Sequence, residues 1–261
     1  MPELVDRLGP VASTSLRLAS RFSNILRAGD PVEELAQIHK CGTVLISAAN
    51  PAVFVDRMLA SGLDWTGVIV LICDTELGSE ELHRLAAAGA HTGSFSPVEG
   101  FDQRLFLVEG DSRALAAAKR IVEDEGARPL RIERHRKSLY TAGLSIAHCL
   151  ALPMVAACAE SLRASGLPQN FALDVTERAF QRTLRAYRKG GRKGWEGPLP
   201  RKEIASIRRN IHGLTAVNPQ LAAYYAEGAA SSLRLFKKDA DWLDRAKPVE
   251  RKRAAMAAAA S

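Results

Sequence analysis

Continuous apolar runs alternate with amphipathic stretches through the first half of the chain. VASTS (11–15) reads as a short strand, and LRLASRFSNILRAG (16–29) has helical spacing and stops at Gly29, a C-cap residue. TVLISA (43–48) is a β-rich run, after which Asn50–Pro51 opens the helix AVFVDRMLASG. GVIVLI (67–72) is a further buried strand. SEELHRLAAAGA (79–90) predicts a helix capped by Ser79, with Glu80 and Glu81 in the first turn, where the helix dipole favours acids. HTGSF (91–95) and RLFLVEG (104–110) read as strands, and 111–126 as a helix capped by Asp111. Strands that are apolar throughout, alternating with helices, predict a parallel sheet covered on both faces. Its ligand crevice is expected beyond the C-terminal ends of the strands.

After residue 133 the strand pattern stops. Helices are expected over 135–166, 170–189, 201–214 and 217–236, with a short one near 238–246. Gly166–Pro168, the loop KGGRKGWEGPLP (189–200) and Asn218–Pro219 separate them. The domains read as 1–133, an α/β unit, and 134–247, all helical, with a disordered tail over 248–261. Within the central helix, Ser138 to Ala159 holds 22 residues without a charge, enough to span a bilayer. Tyr140, Thr141, Ser145, His148, Pro153 and its mid-chain position instead predict a buried helix and no membrane partner.

A hydrophobic share of 47% supplies a core, and charged residues at 25% are ordinary. The N-terminus lacks the apolar run of a secretory signal. Cys41, Cys73, Cys149 and Cys158 form no CxxC pair and sit among apolar neighbours, which predicts buried free thiols in the cytoplasm. The net charge of +7 gathers between Arg182 and Arg209. With no aromatic interleaving it reads as a solvated helical face, and nucleic acid is not expected as a partner. Asp74 and Glu76 near Glu80 and Glu81 do not predict a metal, since the last two are explained as first-turn acids.

The chemistry is marked first by an absence. No G-x-G-x-x-G follows a strand, and GGRKG lacks the GK[ST] ending of a P-loop, so it reads as a flexible basic loop. The segments EGDSRALAAAKRIVEDEGARPLRI, KSLYTAG, QRTL and GWEGPLPRKEIASIRRN then come in a telling order. They resemble bacterial Rossmann-like proteins whose helical half is domain of unknown function 2520. Those proteins are similar at a distance to pyrroline-5-carboxylate reductase, ketopantoate reductase and 6-phosphogluconate dehydrogenase.

The resemblance implies a Rossmann-like, mostly parallel sheet followed by an all-α domain, with NADP or NAD as cofactor and a small ligand in an interdomain crevice. It also implies a homodimer, because relatives pair through such helical domains. Against the pattern, the chain reads as opening inside the first helix of such a domain, with the first strand and its glycine loop expected to be either lost or encoded upstream of a misassigned start. The turn after the third strand is Ala48, Ala49, Asn50, and the next is Cys73, Asp74, Thr75, Glu76. Ser94, Phe95, Ser96, Pro97 stand where a histidine-bearing turn is usual, and Thr141 follows Leu139 and Tyr140 where histidine is usual.

Asn50, Thr75, Ser94 and Ser96 are therefore the candidate cofactor contacts. Lys137 and Thr141, one turn apart on a helix face, match the acid/base lysine and its neighbour in related dehydrogenases, set against a plain lysine in solvent at a helix start. Tyr140 and His148 complete the candidate catalytic set, His148 being weighed against a satisfied core histidine. Arg201, after Gly197–Pro198, is the candidate anion site together with Thr141. The expected function is a divergent NAD(P)-dependent oxidoreductase acting on a small carbonyl, imine or hydroxy acid. The alternative is a non-catalytic scaffold, dimerisation module or small-anion binder of the same descent.

Overall fold

The computed structural model describes residues 8–102 and 104–245. The expected end of a first helix before Gly9 and the tail 248–261 fall largely or wholly outside the described residues. The chain divides into two compact units, one through Ile146 and one from Ala147 onward.

Among the described residues the first unit holds seven strands in two sheets. Strand β1 (Val11–Ala12) leads through helix α1 (Leu16–Leu26) to β2 (Pro31–Val32), which pairs parallel with β1. The short helix α2 (Leu35–His39) then leads to β3 (Thr43–Ile46), α3 (Ala52–Ala60) and β4 (Ile69–Cys73). A 3₁₀ turn (Ser79–Leu82) and α4 (His83–Ala87) precede β5 (His91–Pro97). Strand β6 (Leu105–Gly110), α5 (Ser112–Asp124) and β7 (Arg128–Arg131) close the unit. The larger sheet has the order β3-β4-β5-β6-β7. All its pairs are parallel except β5–β6.

This is the α/β architecture that the alternation predicts. A doubly wound sheet runs 3-2-1-4-5-6. Here β2 and β1 occupy places three and two, and β3, β4 and β5 occupy four, five and six. Among the described residues nothing occupies place one, and one sheet becomes two. Helix α2 packs against both β1 and β3, and Arg57 of α3 donates to the Ser13 carbonyl at the end of β1, so the halves stay in contact.

Strand β4 alternates to serve two cores. Val70 and Ile72 pack with Val55, Met58, Leu82 and Leu85 on one face of the sheet. Leu71 packs with Phe95, Val108, Ala114, Ala118 and Val122 under α5 on the other. Helix α5 is capped as expected, Asp111 accepting from the amides of Arg113 and Ala114. The helix expected from residue 79 is shorter and begins differently: Gly78 is the cap, Ser79–Leu82 is 3₁₀, and only His83–Ala87 is α.

The second unit is all helical, as the sequence predicts. Helix α6 (Lys137–Ser145), in the first unit, passes into it through a π turn (Ile146–Leu150) and α7 (Ala151–Ala164). Helices α8 (Gln169–Gly190), α9 (Ile204–Val217) and α10 (Pro219–Leu235) follow, with a 3₁₀ turn at Asp241–Arg245. The core lies between α9, α10 and the final turn, around Ile207, Ile211, Leu233 and Trp242.

Three expectations change. The central helix is not buried: none of its most apolar 18-residue window is, and Leu139, Ile146, Leu150, Leu152 and Met154 are exposed. By length and composition this helix, Lys137–Ala164, is able to cross a membrane. Second, the GGRKG segment is a 3₁₀ turn (Gly191–Gly194) built into α8. A Cβ at Gly194 would stand 2.5 Å from the Ala186 carbonyl oxygen. Trp195 meets Phe236 edge to face at 4.7 Å, with Arg192 over the Phe236 ring and Lys238 over the Trp195 ring. Third, Cys41 and Cys149 are free but exposed.

Candidate functional site

The polar groups of the first unit converge where β4, β5 and β6 lie side by side. Strand β5 is buried on both faces, so its serines must find partners inside. Ser94 stands opposite Glu109 in the β5–β6 register and donates to its carboxyl at 2.7 Å. Ser79 donates to the same carboxyl through both its amide and its hydroxyl, each at 2.7 Å. The His135 amide approaches it at 3.4 Å. His135 takes a left-handed φ of 59°, which aims that amide inward and starts the turn into α6. Glu109 is 1% exposed, and four donors replace the water it has lost.

Two residues beyond His135, Lys137 is also 1% exposed. Its ammonium donates to the backbone carbonyl of Asp74, at the C-terminal end of β4. Burial pushes the Lys137 amine below the usual lysine range, against the opposing pull of Asp74, Glu109, Glu80 and Cys73. Burial likewise pushes the Cys73 thiol up to about 12, opposed by Lys137. Cys73 is thus kept as a thiol, not a nucleophile. The alternative of a plain lysine in solvent is overturned: Lys137 is inside.

Two buried polar atoms of this region have no hydrogen-bond partner, Ser96 Oγ and Glu80 Oε2. Glu80 folds back over Gly78, where a Cβ would lie 2.3 Å from Oε2.

The remaining candidates are placed less favourably. Asn50 and Thr75 are exposed, in the turns after β3 and β4. Thr141 turns its hydroxyl back on its own helix, donating to the Ser138 carbonyl at 3.1 Å and the Lys137 carbonyl at 3.4 Å. Tyr140 is half-buried on α6. His148 lies in the π turn of the second unit and is exposed, not a core histidine. Arg201 is exposed and already engaged, by Glu203 at 2.9 Å and the Gly197 carbonyl at 3.1 Å. Ser94 and Lys137 are brought together around Glu109, Ser96 is buried two residues further along β5, and Asn50 and Thr75 are not drawn into the buried cluster.

The residues that sequence reasoning missed are Glu109 and the role of Ser79. The signal was available: a single acid at the end of FLVEG, in a strand covered on both faces, has to be buried and satisfied.

A dinucleotide, as this fold implies, fits in part only. The end of β1 offers Ser13, Thr14, Ser15 and Arg17 with no acid among them, a set that suits a phosphate better than a ribose diol. The pyrophosphate needs the backbone amides of a glycine turn after strand one. No such turn exists among the described residues.

Split sheet, crossover helices and helical second unit together define a Rossmann-like fold with a helical C-terminal part. Solved structures agree. An imine reductase from Streptomyces aurantiacus is 9% identical over 90% of each chain, with a TM-score of 0.61. One from Myxococcus stipitatus, in complex with NADP+, is 11% identical over 90% of this chain and 89% of its own, with a TM-score of 0.59. One from a Pseudomonas species is 14% identical over 90% and 89%, with a TM-score of 0.56. Identities this low establish the fold alone. No curated protein matches the sequence. The stretch from β6 into α10, residues 104–232, matches the family model of domain of unknown function 2520 (DUF2520).

Proposed function

We propose that this chain is a non-catalytic, homodimeric member of the NADP-dependent oxidoreductase lineage. The observation that carries the reading is the state of Lys137. A lysine that exchanges protons with a substrate has to reach it. Here the amine is inside, spent on the Asp74 carbonyl and on charge balance with Glu109. Of the other candidates, Ser94 is bonded to Glu109, Thr141 to its own helix and Arg201 to its own loop, and the described residues assemble no set of acid, base and substrate clamp.

The second unit supports assembly. Phe171, Leu173, Leu184 and Tyr187 of α8 and Leu152 and Met154 of α7 are exposed, more large apolar surface than a monomer ordinarily leaves in water. A second copy meeting these helices covers it in an isologous way. The exposed free thiols of Cys41 and Cys149 suit the reducing cytoplasm. The test is twofold. Light scattering after size exclusion should give a dimer, and NADPH or NADH with cyclic imines, ketoacids or hydroxy acids should give no turnover. Steady turnover, or a monomer across the accessible concentration range, overturns the corresponding half.

One observation favours a second reading, a working reductase of small imines, carbonyls or hydroxy acids. A fold neighbour, the Myxococcus stipitatus imine reductase, is in complex with NADP+. On that reading turnover is found and Lys137→Gln abolishes it while the variant still melts cooperatively.

A further inference from the structure

We infer that the second unit docks, through one face of α8 and the turn that follows it, on the phosphate backbone of a double-stranded nucleic acid, without reading bases. The pattern of the sequence alone predicts a solvated face here; the placement of the charges on the helix argues for a partner. This docking is independent of any turnover by the chain.

The charge is divided unevenly. Residues 1–146 hold 16 Lys and Arg against 19 Asp and Glu, and residues 147–261 hold 20 against 10. The whole positive excess therefore belongs to the helical unit, where a general solubilising surplus would be spread over both.

Within that unit the excess is ordered. From Arg178 to Lys193 the chain carries seven cations and no acid. At the pitch of an α-helix, Arg178, Arg182, Arg185 and Lys189 fall within about 60° of one another on α8. Leu184 and Tyr187 fall on the opposite side, so the stripe stays outward when a second copy covers them. The four cations span about 16 Å of helix axis, the length over which one B-form strand presents about five phosphates. Their spacing places like charges at i,i+3 and i,i+4, which destabilises a helix in plain solvent and is relieved by a polyanion.

The cations are also uncommitted. Among the described residues Arg178, Arg185, Arg188, Lys189 and Lys193 make no ion pair. Arg182 meets Glu196 at 3.1 Å, but with side chains 78% and 69% exposed this pair is weak and yields to a phosphate. The helix dipole accounts for Arg188 and Lys189 in the last turn and does not reach Arg178, Arg182 and Arg185. The turn Gly191–Gly194 closes against Ala186 of α8 and carries Arg192 over the Phe236 ring at 5.4 Å, so that cation is held in place beforehand.

Five of the seven cations are arginines, whose fork takes phosphate oxygens two at a time. Between Arg178 and Lys189 the stripe carries no aromatic residue, so the bases of a single strand find nothing to stack on, and a duplex is favoured. A membrane-surface helix sinks its apolar face into the interface with cations beside it. Here the cations lie opposite Leu184 and Tyr187, which favours nucleic acid over lipid.

The test titrates a fluorescein-labelled DNA duplex of about 24 base pairs with the full chain and follows anisotropy from about 25 to 150 mM KCl. Binding should be micromolar at about 50 mM salt and alike for two unrelated sequences, and log K should fall against log salt with a slope of about −5, as six contacts give. Arg178→Gln, Arg182→Gln, Arg185→Gln and Lys189→Gln combined should bring the slope to about −2 and weaken binding at least about tenfold. Arg113→Gln, Arg120→Gln, Arg128→Gln and Arg131→Gln combined remove the same charge from exposed positions of the first unit and should change affinity by less than about twofold.

No binding at about 50 mM salt overturns the inference. Equal loss in the two quadruple variants does so too, because the attraction would then be one of net charge. Tighter binding to the single strand, or to vesicles of phosphatidylserine in phosphatidylcholine, also overturns it. Should the quadruple α8 variant not melt cooperatively, Arg185→Gln alone decides: the slope should become shallower by about 1, and an unchanged slope overturns the assignment.

Discussion

Ser79 holds Glu109 twice, through its amide and its hydroxyl, each at 2.7 Å. The 3₁₀ turn after β4 is thereby pinned to the middle of the sheet by a carboxyl from β6. Glu109→Gln replaces one accepting oxygen with an NH₂ that faces donors, so at least one of them loses its acceptor. We expect Glu109→Gln to cost roughly 1.5–3 kcal/mol, and Glu109→Leu, which also removes one of the acids facing Lys137, roughly 3–5 kcal/mol. Ser79→Ala removes one bond and should cost about 1 kcal/mol. Urea unfolding of the three variants checks the order; equal stability of Glu109→Leu and the parent refutes the arrangement.

Gly93 and Gly110 face each other in the β5–β6 register, and the sheet closes there because neither has a side chain. A Cβ at Gly93 would lie 2.7 Å from the Glu109 carbonyl oxygen and 3.1 Å from the Ala114 Cβ, both fixed groups. Gly93→Ala should therefore destabilise by about 1–3 kcal/mol, where an exposed, uncrowded site would barely respond. At roughly 2–4 °C per kcal/mol for a chain of this size, calorimetry should register a fall of about 2–12 °C.

The strands that are continuous apolar runs were legible because burial on both faces leaves a one-dimensional trace: Thr43–Ile46, Ile69–Cys73 and Leu105–Gly110 lie within a residue or two of their runs. Strands β2 and β7 left no such trace, being short and carrying Pro31 and Pro129. The antiparallel turn from β5 to β6 was readable in principle, since Val98–Arg104 is too short for a parallel crossover. The site was less so. Lys137 sits at a helix start, where sequence alone expects solvent, and its burial depends on Asp74, 63 positions away. The uncovered central helix was misread because apolar composition does not tell whether the rest of the chain covers a helix.

Lys137 gives the chain a signature in alkaline solution. Burial lowers its folded pKa below the unfolded value of about 10.4. Between those two values the unfolded chain binds more protons than the folded one, so this group's contribution makes stability rise with pH. Below the folded pKa the cost of burying the charge is present in full. Lys137→Met removes the effect, and the difference in unfolding free energy, parent minus Lys137→Met, should increase as pH is raised toward 10.4. A flat difference across that range places Lys137 in solvent.

Cys73 supplies a test of the same cluster with the opposite sign. Its folded pKa of about 12 lies above the ordinary thiol value, so between about 9 and 12 the folded chain retains a proton that the unfolded chain gives up. Its contribution to stability therefore falls with pH over that range, and Cys73→Ala should remove the fall. Reactivity offers a second readout. The thiolate is the reacting species, and at pH 8 a group titrating near 12 is about one part in ten thousand thiolate. Cys41 and Cys149 are exposed, so iodoacetamide followed by peptide mass analysis should label them early and Cys73 only on unfolding. Lys137→Met removes the cation that opposes the rise in the Cys73 pKa, so Cys73 should become slower still in that variant. Faster labelling would mean that the lysine shields the thiol from solvent instead of acting on its charge.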